Sequence, residues 1–310
     1  VDAITLGEHH RGDFAISSPE VVLGAIAGRT ERILLGTGVT VLSSDDPVRV
    51  YQRFATLDGV SSGRAEVILG RGSFTESFPL FGYDLSDYEE LFNEKLDLFA
   101  RLRAEEPVTW SGTHRSPLVE QRVHPTTEQP GGVRAWIGVG GSPHSVLRSV
   151  QTGIPMMLAI IGGEPARFAP FANLYRQAQA ELGSGAAGAD GGTAPMPLGV
   201  HSPGHIAETD AQAREELWEH FAAQRARIGR ERGWPAPTRF EFEREAESGA
   251  LHVGSPETVA QKIATTVRTL GADRFDLKYA NGTMPHELLM RSIELYGTVV
   301  IPRVRELLAS

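Results

Sequence analysis

The chain has no cysteine among its 310 residues. Disulfide bonds, zinc–thiolate sites and cysteine nucleophiles are therefore excluded. It also has no apolar run long enough to cross a bilayer, and no signal-peptide pattern is seen at its start. We therefore expect a cytoplasmic protein without a membrane partner.

Positive charge is in short supply. Thirty Lys and Arg residues face 39 Asp and Glu residues, which gives a net charge of -9 and a pI near 5.6. This balance argues against a nucleic-acid or anionic-membrane surface, but it leaves room for a local basic pocket that binds a phosphate. Hydrophobic residues make up 41% of the chain, an ordinary globular proportion, and we expect a single domain over 1–310.

Short apolar runs alternate with helix-starting signals along the whole chain. Predicted strands cover 3–8, 33–42, 65–70, 135–139, 156–161, 197–201 and 275–279. Four predicted helices open on a capping residue followed by proline, at Ser18-Pro19, Asp46-Pro47, Ser142-Pro143 and Ser255-Pro256. Strand and helix in alternation predict a parallel α/β protein, whose chemistry lies at the carboxyl ends of its strands.

Two irregular segments interrupt this pattern. The sequence GSGAAGADGG at 183–192 is typical of a surface loop within one domain. The charged segment at about 207–250 is too long for a plain connection, and in a barrel we expect it to lie over the active face. There it would be either a substrate lid or a solvated helical excursion.

The first predicted strand runs directly into Glu8, His9 and His10. Because histidine exchanges protons near neutral pH, these residues are candidates for acid–base chemistry. The alternative is that both imidazoles only form hydrogen bonds to neighbouring strands. Adjacent histidines in an extended strand point to opposite faces, which is poor geometry for chelation, so we predict no metal site.

Glycine interrupts the second predicted strand at Gly36 and Gly38. Glycine inside a good strand indicates either close approach of a ligand to the backbone or a bulge. Both interpretations explain these residues equally well.

Two further strand ends carry groups suited to a phosphate. Arg71 follows the third strand between two glycines, and arginine forms charge-assisted, often bidentate bonds to phosphate. An exposed loop arginine is the alternative. The fourth strand leads into Gly140, Gly141 and Ser142, and Ser145 lies in the first turn of the following helix. Bare backbone amides, two hydroxyls and a helix N-terminus favour an anion, so we expect both elements to hold one phosphate.

Six segments, taken together, give the chain a family resemblance over almost its whole length. They are LGEHHRGDFAISSP, LGTGVTVLSSDDPVRV, SSGRAEVILGRGSFTESFPLFGYD, IGVGGSPHSVLRSVQTGIPMML, HVGSPETVAQKI and DRFDLKYANGTMPHE. In this order they resemble the bacterial luciferase-like superfamily of flavin-dependent monooxygenases, and its FMN-using branch more than its deazaflavin-using branch.

The resemblance implies a TIM-type (β/α)8 barrel that binds reduced FMN at the carboxyl ends of its strands. Its first strand and helix have no counterpart here, so we expect that the given chain lacks an N-terminal segment. His9 corresponds to the active-site histidine, with Glu8 and His10 beside it. Gly38-Val39 corresponds to a non-proline cis peptide under the flavin. Arg71 corresponds to the phosphate arginine. The loop that holds the ring edge and phosphate corresponds to Val139, Gly140, Gly141, Ser142 and Ser145.

The implied activity is a monooxygenase reaction through a flavin hydroperoxide, with a small aldehyde or ketone as substrate. A separate flavin reductase would supply the reduced FMN, and the protein would form a homodimer through helices at about 19–30 and 47–60. Light emission is not expected to follow, because Gly70 stands where luciferase has a reactive cysteine. The alternatives are an oxidoreductase that transfers hydride with the deazaflavin F420, and a flavin-binding protein without catalysis.

Overall fold

Parallel strands and helices alternate along the computed structural model, which describes residues 1–72, 74–182 and 195–309. The chain divides into two compact units. The first unit is Asp2–Met157 with Tyr175–Met196, and the second is Leu158–Leu174 with Pro197–Ser310 and Val1. Each is described separately below.

The first unit carries most of the predicted site. In chain order it contains β1 (Ala3–Leu6), α1 (Pro19–Ala27), β2 (Leu34–Val41), a 3-10 turn (Leu42–Ser44), α2 (Pro47–Ser61), β3 (Glu66–Gly70), α3 (Ser77–Phe81), a 3-10 turn (Leu85–Asp87), α4 (Tyr88–Leu102), β4 (Val108–Trp110), β5 (Leu118–Gln121), β6 (Arg134–Val139) and α5 (Pro143–Gln151). The next two elements, β7 (Met156–Ala159) and α6 (Ala169–Glu181), each have residues in both units.

The strands β1, β2, β3 and β6 lie side by side and run parallel. Ala3 is paired with Leu34 and Glu66 with Arg134, while the pairing of β2 with β3 shifts between Gly38 and Thr40. Because parallel neighbours end at the same edge of a sheet, the residues that follow these four strands are brought together.

The second unit also pairs its strands in parallel. It contains a 3-10 turn (Pro165–Phe168), β8 (Leu198–Ile206), α7 (Asp210–Arg232), α8 (Arg239–Glu247), β9 (His252–Gly254), α9 (Pro256–Leu270), β10 (Arg274–Lys278), α10 (His286–Leu295), a π-helical turn (Tyr296–Val300) and α11 (Ile301–Ala309). In this unit β8 pairs with both β9 and β10. Among the described residues, no helix combines the length and apolar composition that a membrane crossing requires.

All seven predicted strands are present, with ends that differ by one to several residues. The largest difference is β8, which was predicted to end at residue 201 and extends to Ile206 through Pro203 and Gly204. The four predicted helices do begin at proline, but Ser18 makes no side-chain cap, whereas Asp46, Ser142 and Ser255 do. The capping role predicted for Ser18 is therefore wrong.

The structure contains elements that the sequence did not predict, and some of the predictions stay untested. The hairpin of β4 and β5 and the short strand β9 were not predicted. The segment at 207–250 forms α7 and α8, and its placement over an active face stays a prediction, as does the single domain over 1–310. The surface loop predicted at 183–192 lies outside the described residues.

Candidate active site

Glu8 joins the ends of β1 and β2. Its Oε2 accepts a hydrogen bond from the backbone N–H of Val41 at 2.8 Å, and its Oε1 lies 2.9 Å from Nε2 of His10. Burial raises the pKa of the Glu8 carboxyl above its ordinary value, although the Val41 N–H and His10 act in the opposite direction. Both carboxylate oxygens are engaged, so Glu8 fixes the backbone that follows the β2 glycines.

His9 lies in an aromatic cluster. Its ring stacks on Phe14 with centroids 3.8 Å apart and meets the edge of Phe74 at 5.5 Å. A methyl group placed on Gly7 would be 3.4 Å from Nε2 of His9 and 3.6 Å from the carbonyl oxygen of Gly38. The imidazole and the Gly38 carbonyl therefore flank Gly7, which brings the end of β1 next to the middle of β2.

The peptide bond between Gly38 and Val39 is cis, as the resemblance implied. A Cβ on Gly38 would lie 3.1 Å from Oγ1 of Thr5, so there is little room for a side chain at this position. The Val39 side chain packs against a buried cluster that includes Ile68 and Trp136. The irregular pairing of β2 agrees with the bulge interpretation of its glycines. The position of Gly38 near His9 is compatible with the other interpretation, close approach of a ligand, which stays a prediction.

Arg71 reaches the start of α5. Its Nη1 forms an ion pair with Oε1 of Glu89, and its Nη2 donates to Oγ of Ser145 at 3.5 Å. The guanidinium carbon lies 5.2 Å from the centre of the Tyr88 ring. A second guanidinium, that of Arg148, donates from Nη2 to the other oxygen of Glu89 at 3.0 Å. Burial, and the nearby charge of Arg71, lower the pKa of Arg148.

The start of α5 supplies the remaining polar groups. Oγ of Ser142 accepts from the backbone N–H of Ser145 at 3.3 Å and donates to Oγ of Ser145 at 3.3 Å. Gly141 has a φ of 98°, which favours glycine, and nothing lies within 4 Å of a Cβ placed on Gly140. Val139, the last residue of β6, is fully buried.

These groups form an arrangement that fits an anion. Two guanidinium groups, two serine hydroxyls and the N-terminal end of α5 lie together, with open space beside Gly140. A carboxylate, that of Glu89, already bridges both arginines, which shows that the geometry suits a bidentate oxyanion. The donor set therefore fits a phosphate group.

Sequence reasoning missed Arg148 and Glu89. Arg148 lies three residues after Ser145, on the same face of α5, and that spacing was the available signal. Glu89 carried no such signal, because an acidic residue in the first turn of α4 is an ordinary helix feature.

Outside this cluster, Asp87, Glu90 and His114 place possible cation ligands within 4.8 Å of one another, which the sequence did not suggest. No ion is present there.

Comparisons with known proteins agree on one family. The family model of the luciferase-like monooxygenases matches residues 1–274. The structure is similar to that of monooxygenase RslO1 from Streptomyces bottropensis, with a TM-score of 0.79 and 26% identity over 97% of this chain and 88% of RslO1. The fold also resembles the oxygenating constituent of 3,6-diketocamphane monooxygenase from Pseudomonas putida, solved in complex with FMN. That TM-score is 0.74, with 18% identity over 98% of this chain and 89% of the other.

Curated relatives match shorter stretches. Limonene 1,2-monooxygenase of Rhodococcus erythropolis is 40% identical over 105 residues, which are 34% of this chain and 27% of that protein. The chain spans less than half of the length of three such relatives, at 33%, 27% and 44%. The predicted TIM-type barrel class is confirmed by the alternating parallel strands and by the agreement with RslO1. Since the family model covers most of the sequence, the chain belongs to the luciferase-like monooxygenase family.

Proposed function

We propose that this protein is a flavin-dependent monooxygenase that uses reduced FMN and O2 to oxidise a small organic substrate. The observation that carries the proposal is the meeting of Arg71, Arg148 and the serine-capped start of α5 around one position for an oxyanion. The FMN-bound diketocamphane enzyme of the same fold and the limonene monooxygenase relative support the same class of reaction.

The residues divide into two groups by role. Arg71, Arg148, Ser142 and Ser145 hold the phosphate, since they supply charge-assisted and hydroxyl hydrogen bonds. The main chain of Gly38-Val39 and of the residues 139–141 would contact the ring system, as the family resemblance implies. Gly140 is exposed and no atom lies within 4 Å of a Cβ placed on it, so a ligand can approach the backbone there.

Bound reduced flavin would supply the two electrons that this reaction needs, with one atom of O2 entering the substrate and the other leaving as water. Within the protein, His9 exchanges a proton at Nε2, beside Gly7 and the Gly38 carbonyl. Phe14, stacked on the imidazole, keeps water from one face of that ring. Glu8 holds the backbone of Val41 and so keeps the ends of β1 and β2 in register.

The finer features belong to the same proposal. The substrate is a small aldehyde or ketone, a flavin reductase delivers reduced FMN, and the protein acts in the cytoplasm as a homodimer through α1 and α2. On α1, Val21 and Val22 are exposed, and Val60 of α2 is exposed as well, which gives both helices an apolar surface suited to self-association.

The test combines photoreduced FMN, 18O2 and a panel of aldehydes, ketones and limonene. We expect one 18O atom per product molecule and no product without O2. His9→Asn should lower turnover by about 100-fold or more, the usual contribution of a positioned acid or base, while its affinity for oxidised FMN stays at the wild-type value. Loss of binding in this variant, or full activity, would contradict the role of His9. Binding of FMN by a wild type that oxidises no substrate would favour the non-catalytic alternative.

Coenzyme F420 is the alternative cofactor, and titrations of the protein with FMN and with F420 distinguish the two. The structure places a second basic residue, Arg148, beside Arg71. Both arginines pair with the one carboxylate of Glu89, which supports a site for a single phosphate. We therefore expect tighter binding of FMN than of F420. Anaerobic, substrate-dependent oxidation or reduction of F420 would overturn this assignment.

A further inference from the structure

Glu89 occupies a special position on α4. One of its oxygens pairs with Arg71 and the other with Arg148, so a single carboxylate bridges both guanidinium groups of the predicted phosphate site. Any phosphate that uses both arginines must replace this carboxylate or share them with it.

The three side chains differ strongly in their contact with water. The Glu89 side chain is 55% exposed, whereas those of Arg71 and Arg148 are 25% and 7% exposed. An exposed carboxylate is well solvated when it leaves an ion pair, and such pairs contribute little. A buried guanidinium without an anion is costly, so Arg148 needs an oxyanion far more than Glu89 needs an arginine.

The arginines also have supports other than Glu89. Arg71 donates to Ser145 and lies over the Tyr88 ring at 5.2 Å, and Arg148 lies over the Phe92 ring at 5.3 Å. These cation–π contacts hold both groups near the start of α5. The position of the arginines therefore does not depend on the carboxylate alone.

We propose that Glu89 is an internal competitor for the cofactor phosphate: it neutralises Arg71 and Arg148, is displaced when a phosphate dianion binds, and so limits the affinity of the site. The inference rests on the proposed function, since it assigns the phosphate of FMN to this place. Its consequence is a cofactor that binds weakly enough to be exchanged with a reductase.

The test compares Glu89→Gln with the wild type in fluorescence titrations of oxidised FMN and of riboflavin, which lacks the phosphate. We expect Glu89→Gln to bind FMN about tenfold more tightly and riboflavin with unchanged affinity. Glu90→Gln is the matched control, because it removes the same charge from the next residue of α4. The Glu90 carboxylate lies 3.6 Å from His114 instead of beside the arginines, so its FMN affinity should stay within about twofold.

Each outcome decides the matter. Weaker FMN binding by Glu89→Gln would mean that the carboxylate positions the arginines, and equal binding would mean that it plays no part, and either result overturns the proposal. A tenfold gain in FMN affinity for Glu90→Gln as well would mean that the effect comes from the net charge alone.

If Glu89→Gln unfolds, Glu89→Asp, whose shorter side chain cannot bridge both arginines, should still gain affinity for FMN. A wild type that binds FMN and riboflavin equally would instead refute the phosphate site, and with it the proposed function.

Discussion

At the scale of single residues, the tightest packing near the site is around Val39. A Cβ on Gly70 would lie 2.6 Å from Cγ2 of Val39, and one on Gly138 would lie 3.2 Å from its Cγ1. The valine side chain thus fills the space that two neighbouring strands leave by having glycine. Position 70 therefore has no room for a side chain unless Val39 moves.

This packing predicts different changes in the free energy of unfolding for two similar substitutions. Gly70→Ala should lower the free energy of unfolding by about 1–3 kcal/mol, the usual cost of overpacking a core. Gly140→Ala should leave it unchanged, because nothing lies within 4 Å of the new methyl group. Urea denaturation of the three proteins measures this difference, and a Gly70→Ala protein as stable as wild type would contradict the geometry.

The Gly140→Ala variant has a second readout, its affinity for FMN. If the backbone at 140 contacts the flavin, Gly140→Ala should weaken FMN binding although the protein keeps its stability. Unchanged FMN affinity in Gly140→Ala would argue against the role of this loop.

Only part of the residue-scale picture was predictable. Arg71 and Ser142 were found because both follow strands, where parallel α/β folds concentrate ligand contacts. Arg148 and Glu89 lie within helices, where the spacing of Arg148 from Ser145 was the one sequence signal and Glu89 resembles an ordinary solvated helix residue. Their roles depend on α4 lying against the start of α5, which no local pattern encodes.

At the scale of elements, helix caps differ more than their sequences suggest. Four helices open with a capping residue and proline, yet only the Ser18 side chain forms no cap bond among these four. Asp46 accepts from the backbone N–H groups of Val48 and Arg49 at 2.9 and 3.2 Å. The same motif therefore contributes differently to α1 and α2.

We predict that Asp46→Ala lowers the free energy of unfolding by about 1–2 kcal/mol, since two helix donors lose their acceptor. Ser18→Ala should change it by less than about 0.5 kcal/mol, as expected for a surface substitution. Asp46 also pairs with Arg115, so Asp46→Asn is the control that keeps a good cap and weakens the ion pair. Thermal and denaturant unfolding report the values, and equal losses in Asp46→Ala and Ser18→Ala would refute the assignment.

Strand prediction worked where apolar runs were long and failed where they were not. The strands β2 and β3 are buried along most of their length, so most of their residues are apolar or glycine. Pro203 and Gly204 hid the second half of β8, because both residues usually end a strand. The hairpin of β4 and β5 has only three and four residues and a mostly exposed second strand, too little for a period-two pattern.

At the scale of the whole molecule, each unit contains a lysine largely removed from water, because Lys95 is buried and Lys262 is half-buried. Lys95 of the first unit donates to the carbonyl oxygen of Ser43 at 2.7 Å, and Lys262 of the second donates to three carbonyls near the end of α8. Burial lowers the pKa of each lysine to about 8. Folding therefore favours the neutral amine, and the stability of the protein depends on pH in the alkaline range.

The direction follows from proton binding. Between a folded pKa of about 8 and the ordinary value of 10.5, the unfolded chain holds more protons than the folded protein, so stability rises with pH. Relative to Lys95→Met, the wild type should gain about 1–2 kcal/mol in free energy of unfolding from pH 7 to pH 9.5. Parallel denaturation of both proteins measures the gain, and Lys262, present in both, cancels. A constant difference across this range would contradict the lowered pKa.

The contact of Val39 with Gly70 and Gly138 has an evolutionary consequence. Three positions on three adjacent strands share one fixed volume, so a mutation at one of them changes which residues the other two tolerate. Lineages that acquire a side chain at position 70 would first have to replace the valine at 39 with something smaller. The residues at positions 39, 70 and 138 should therefore covary among members of the family. The order of their substitutions would show when the packing of this part of the barrel changed.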